Sequence, residues 1–170
     1  RYAEAFSFLQ SKKLYTVDDL ENTLHAMQDK IDTLKKSASS KQARIKEVDE
    51  LLRMVDYYKS GKPAADKLKS IRFEKSRQKY KSEHDNELRT FYMAERKLKP
   101  YFKDGKLPIT AWRKERAQLE QEYRDIQSEL SPLHADAKKL WAIHYNIYEV
   151  QHEQERQNTE LRQKKQEIEH

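Results

Sequence analysis

The chain holds 170 residues with a formal charge of +6; 38% are charged, 36% are hydrophobic and the mean hydropathy is −1.17. Cysteine is absent, which excludes disulfides, thiol catalysis and zinc-ribbon chemistry and suits a reducing cytoplasm. No apolar run approaches the ~18 residues that span a bilayer, and no signal peptide is visible, so no membrane insertion is expected.

Two glycines and four prolines in a chain of this length argue for helix almost throughout, and apolar groups this sparse belong in seams between helices. Residues 1–15 carry Tyr2, Ala5, Phe6, Phe8 and Leu9 ahead of Lys12 and Lys13. They read as a short N-terminal helix whose apolar side needs cover from the later chain. The first long helix follows over 16–59. Val17, Leu20, Leu24, Met27, Ile31, Leu34, Ala38, Lys41, Ile45, Val48, Leu52 and Val55 succeed one another at steps of 3 and 4, with Lys41 the one polar member. Such a seam must face another helix. Thr16 is the expected N-cap, with Asp19 completing a box-like cap. At ~1.5 Å per residue the helix would run roughly 65 Å.

Ser60, Gly61, Lys62 and Pro63 form the clearest breaker in the sequence, and a turn or sharp kink is expected there. Residues 60–107 then read as a tip of short helices: one over Ala64–Ile71, another over Phe73–His84, and a third capped by Asp85 or Asn86 that carries Leu88, Phe91, Ala94, Leu98 and Phe102. Pro100 marks the end of the third, and Asp104-Gly105 is a turn signal. The return helix over 108–170 starts at Pro108 or Thr110. Its seam is Trp112, Leu119, Tyr123, Ile126, Leu130, Leu133, Ala137 and Leu140. The register passes Pro132 unbroken, which favours a kinked continuous helix, while Ser131 could also cap a second helix. Past Leu140 the pattern shifts to Ile143, Ile147 and Val150. Beyond Gln151 only Leu161 and Ile168 are apolar, so the end is expected to fray or to depend on neighbours.

The two long segments match in length, which predicts an all-α fold: an elongated antiparallel helical hairpin, or coiled-coil arm, capped by a small group of short helices. A parallel homodimer built on the first seam would leave the second seam unexplained. A homodimer assembled on top of the hairpin stays open.

Charge is concentrated in one place. Residues 59–81 hold Lys59, Lys62, Lys67, Lys69, Arg72, Lys75, Arg77, Lys79 and Lys81 against Asp66 and Glu74, a net +7 that accounts for the whole excess. Arg72, Lys75 and Lys79 are expected on one helical face, with Tyr57, Tyr58, Phe73 and Tyr80 interleaved. Clustered cations with aromatics suit phosphate contact. A solvated lysine-rich face, or a face for an acidic protein, would use the same residues, and nothing points to base-specific readout.

Catalytic and metal chemistry is not expected. His25, His84, His134, His144, His152 and His170 never stand two or four apart. Glu149 with His152, and Glu167 with His170, have carboxylate–histidine ligand spacing, but both pairs lie in one polar helix. Gly61-Lys62 lacks the earlier glycine of a phosphate loop, and no order of Ser, His and Asp suggests a triad. No cofactor is implied.

Several stretches together resemble the helical C-terminal region of relaxases, the mobilisation nucleases of conjugative and mobilisable elements of Gram-positive bacteria. They are Ala5-Phe6-Ser7-Phe8-Leu9-Gln10, Tyr15-Thr16-Val17-Asp18-Asp19-Leu20-Glu21, the run Tyr58–Tyr80 with Lys62-Pro63 and Phe73-Glu74-Lys75-Ser76-Arg77, and Leu88–Leu98 followed by Lys106-Leu107-Pro108 and Trp112–Glu115. The resemblance covers residues 1 to about 150. It implies a bacterial, cytoplasmic, non-catalytic region of a DNA-nicking enzyme, whose tyrosine nucleophile and histidine-bound metal lie in a domain preceding the helices. No residue here matches those motifs. The partners implied are transfer-origin DNA and relaxosome accessory or coupling proteins.

Overall fold

The computed structural model of the chain describes residues 2–170. It is all-α, with helices α1 (Tyr2–Ser11), α2 (Val17–Ser70), α3 (Glu74–Glu83), α4 (Asp85–Leu98) and α5 (Ile109–Glu169), one 3-10 turn at Lys99–Tyr101, and no strand among the described residues. The chain divides into two units, one of Arg1–Ser37 with Ile126–His170 and one of Ala38–Asp125, so α2 and α5 each contribute a segment to both. No helix is long and apolar enough to cross a membrane.

In the first unit the capping box forms as expected. The Thr16 hydroxyl accepts from the Asp19 N–H at 3.0 Å, and the Asp19 carboxylate accepts from the Thr16 N–H at 3.2 Å. Leu20 and Leu24 then meet Leu140, and Ile31 meets Leu130 and Ala137. Early residues of α2 face late residues of α5, which makes the pairing antiparallel. Val17 is the exception in the seam and stays exposed. α1 docks only in part: Phe8 and Leu9, with Leu14 just after the helix, pack on the Leu20–Leu24–Leu140 cluster and Lys12 pairs with Asp136 at 2.6 Å, whereas Tyr2 and Phe6 stay exposed. α5 does not fray. It stays helical to Glu169, through Pro132, although every residue from Tyr148 onward is exposed.

The second unit is also antiparallel between α2 and α5. Lys41, the polar member of the seam, pairs with Glu122 at 2.9 Å, and Arg44 binds Glu115 through two nitrogens at 2.6 and 3.2 Å. Arg116 pairs with Asp49 and Glu120. These bonds hold the Glu115 and Glu122 carboxyls below the usual carboxylate range and raise the Arg44 and Arg116 guanidinia, the partner's hydrogen bond being the largest cause each time.

Here a third helix widens the buried face. Val48, Leu51, Met54 and Val55 of α2 enclose Ala94 and Leu98 of α4 and Trp112 of α5. The expected break at Ser60–Pro63 is absent: α2 runs on to Ser70, and the separate helix expected over Ala64–Ile71 is its last turns. The reason lies in a second seam, Leu51, Met54, Tyr58, Gly61, Ala65 and Leu68, again at steps of 3 and 4. Its last members, with Ala64, bury against Leu88 and Phe91 of α4, while Tyr58 stacks on Phe91 with ring centroids 5.0 Å apart. An interior proline costs a helix roughly 3 kcal/mol; burial of Leu68 and the alanines offsets it. Gly61 is a contact point, because a Cβ there would lie 2.6 Å from the Cβ of Phe91.

α4 ends in the 3-10 turn containing Pro100. Asp104 and Gly105 both adopt positive φ, 53° and 73°, and Lys103 and Lys106 exchange backbone hydrogen bonds across them at 2.9 and 3.0 Å. This reversal delivers the chain to Pro108 and α5.

Two outcomes are expected. Gly61→Ala should destabilise by roughly 1–3 kcal/mol from overpacking, despite the ~0.5–1 kcal/mol that alanine normally adds to a helix interior; urea unfolding reads the sign. Glu115→Gln should cost about 0.5–1 kcal/mol at neutral pH, the range of a half-exposed bidentate pair. Because the folded pKa of Glu115 is depressed, its contribution is present above the unfolded value and lost as pH falls through the folded one. The wild-type and variant stabilities should therefore converge in acid.

Candidate nucleic-acid interface

The last three turns of α2 bury Gly61, Ala64, Ala65 and Leu68 against α4, which turns Lys59, Lys62, Lys67 and Lys69 outward. The helix then stops. Residues 71–73 are non-helical, and Phe73 stands at the N-cap of α3 in an extended conformation without a side-chain cap, 78% exposed. Arg72 therefore lies in the connector, and the single helical face expected for Arg72, Lys75 and Lys79 is not formed; only the latter two share α3. The correction follows from where α2 ends: the helix stops at Ser70, and Ile71, the next step of 3 after Leu68, is half-buried but already outside it.

Lys75, Arg77, Lys79 and Lys81 lie on α3. The nine cations thus divide four, one and four over α2, the connector and α3. Tyr80 ties the two helices together by packing on the Ala64–Leu68 cluster. The Lys67 ammonium sits 5.5 Å from the centroid of the Tyr80 ring, and that of Lys62 5.7 Å from the centroid of Tyr58. All nine are exposed except Arg77, which is half-buried, and none forms a salt bridge among the described residues. Elsewhere in this unit Lys41, Arg44, Lys97 and Arg116 all have carboxylate partners.

Residues outside the basic stretch join the surface. An open cleft of about 890 Å³ lies between α3 and α4, floored by Leu68, Leu88 and Met93 and rimmed by Arg77, Lys81, Asp85, Arg89, Tyr92, Glu95 and Arg96. Arg89 is paired with Asp85 at 3.1 Å, whereas Arg77, Lys81 and Arg96 form no salt bridge among the described residues. Tyr92 is partly exposed. Asp85, Arg89, Tyr92 and Arg96 stand at steps of 4, 3 and 4, opposite the buried Leu88–Phe91–Ala94–Leu98 face, and that polar repeat was the available signal. Cations on a rim, an exposed ring and an apolar floor can hold phosphates and a flat ring.

Of the histidine–carboxylate spacings, His152 lies nearer Glu155, at 3.9 Å, and packs on the Tyr148 ring. No group of three or more potential metal ligands occurs among the described residues. Comparison with protein-family models, curated proteins and solved structures finds no match to this chain.

Since Lys75 and Lys79 make no ion pair, the double reversal Lys75→Glu with Lys79→Glu should change stability by no more than about 0.5 kcal/mol, as for surface positions generally. Lys41→Glu, which places a second carboxylate beside Glu122, should fall well outside that range in the same thermal melts.

Proposed function

We propose that this chain is a non-catalytic helical region of a DNA-mobilisation relaxase, and that the basic surface at the end of α2 and on α3 contacts the phosphate backbone of DNA. The observation that carries nucleic-acid contact is the contrast in pairing. The nine cations within 23 residues, two carboxylates among them, form no salt bridge among the described residues, while Lys41, Arg44 and Arg116 at the α2–α5 contacts of the same unit are each ion-paired. Unpaired, solvated cations release no salt bridge when they meet phosphate, so the counterions displaced from DNA drive association. The relaxase setting rests on the sequence resemblance alone. In that setting the helices present DNA near the transfer origin to the nicking domain and dock accessory or coupling proteins.

A second reading, a helical protein-binding scaffold without a nucleic-acid role, is favoured by a separate observation: the final turns of α5 are helical yet wholly exposed.

The two separate in a salt series. Binding of single- and double-stranded DNA should weaken linearly in log–log form, by about 0.9 per neutralised phosphate for duplex and about 0.7 for single strands. The variant carrying Lys69, Arg72, Lys75 and Lys79 as Glu should bind at least tenfold more weakly, with a shallower slope. Equal binding by the two proteins, or none at low salt, would sink the DNA reading and leave the scaffold.

A further inference from the structure

From Ile143 the α5 seam continues as Ile147, Val150, Gln154, Gln157, Leu161, Lys164 and Ile168, at steps of 4, 3, 4, 3, 4, 3 and 4. Its first two members, Ile143 and Ile147, are half-buried against the Leu20–Leu24–Leu140 cluster. Beyond them the cover ends: Val150 is 51% exposed, Leu161 64% and Ile168 84%. The same line of side chains that packs inside the first unit therefore runs on, uncovered, for the last turns of the helix. A polar helix of this length is marginal alone in water. Its seam is two-stranded in width, with apolar layers at Val150, Leu161 and Ile168, amide layers at Gln154 and Gln157, and one charged layer at Lys164.

The flanking charges select the occupant. With Gln154, Leu161 and Ile168 at the first core position of each heptad, Glu153, Glu160 and Glu167 fall on one flank, and Gln151, Asn158 and Lys165 on the other. Two antiparallel copies would bring the glutamate flanks together. Two parallel copies in register instead set Glu160 of one beside Lys165 of the other and Glu153 beside Asn158. They pair Gln154 with Gln154 and Gln157 with Gln157, where the amides satisfy each other, and bring Lys164 to Lys164, whose ammonium groups must snorkel out to solvent. We propose that residues 148–169 form a parallel, in-register two-stranded coiled coil with a second copy of this chain. This interface is independent of the basic surface and of any DNA role.

Sedimentation equilibrium of the full chain tests it across roughly 10 μM to 1 mM, a span that brackets weak association. The mass should climb from 20.5 kDa towards twice that value. The double variant Leu161→Glu with Ile168→Glu should stay at the lower mass, with helical circular dichroism retained. Orientation is read by crosslinking, which the absence of native cysteine makes unambiguous. Under mild oxidation Ile168→Cys and Gln154→Cys should each form a disulfide-linked dimer, and a mixture of the two should give no 154–168 product. A monomer throughout, a dimer indifferent to the double variant, or a dominant 154–168 crosslink would overturn the proposal.

Discussion

The approach of α4 to α2 at Gly61 sets the conditions for the second unit. With hydrogen in place of a side chain, Phe91 comes within a distance that no Cβ could tolerate, and it stacks on Tyr58 one turn earlier. That contact draws Leu88 onto Leu68 and Ala65, which keeps α2 helical beyond a proline. α2 stops at Ser70, two residues past Leu68, the last buried member of the seam. The connector, the start of α3 and the distribution of lysines follow from that end point. Small residues here act as Leu and Phe act elsewhere in the seam: they specify which helix faces which, by admitting it.

Charge has two distinct uses within the second unit. Along α2 and α5 it is paired and geometric, with Lys41 inside an otherwise apolar seam and matched by Glu122 across the helix pair. Unpaired there, Lys41 would be half-buried beside apolar groups and destabilising; paired, it marks one register. At the end of α2 and on α3 the cations form no salt bridge among the described residues, and Lys62 and Lys67 lie beside aromatic rings. Such a surface does little for the fold and is available to an external anion. The cleft between α3 and α4 adds Arg96 and Tyr92 to it, residues from a helix whose other face is core.

Most of the helices were legible because the steps of 3 and 4 are a direct consequence of helical geometry. The first seam, its cap at Thr16, the apolar face of α4, the Asp104-Gly105 turn and the continuity of α5 through Pro132 could all be read from single residues and spacings. What was not legible is instructive. Gly61 and Pro63 are breakers by local propensity, and only the long-range contact with Phe91 reverses that preference. Leu51 and Met54 lie beside the first seam and belong to a second, visible only once a third helix is known to be there. The nine cations were found by counting charge, but Arg72 was assigned to a helix that starts after it. The contribution of α4 to the basic surface was hidden because Arg89 and Arg96 lie outside the charge-rich 59–81 stretch and join it only through the fold.

The division of the chain also has a kinetic consequence. Ala38–Asp125 is one continuous segment, and Lys41 with Glu122 holds its two ends side by side. It closes on itself through neighbouring elements, with α4 returned to α5 by a tight reversal. The other unit joins the two outer segments of the chain, so its contacts span everything between them. Loop-closure entropy rises with the logarithm of the intervening length, and contacts far apart in sequence form slowly. The inner segment is thus the natural folding nucleus, after which the outer segments close a much shorter effective loop.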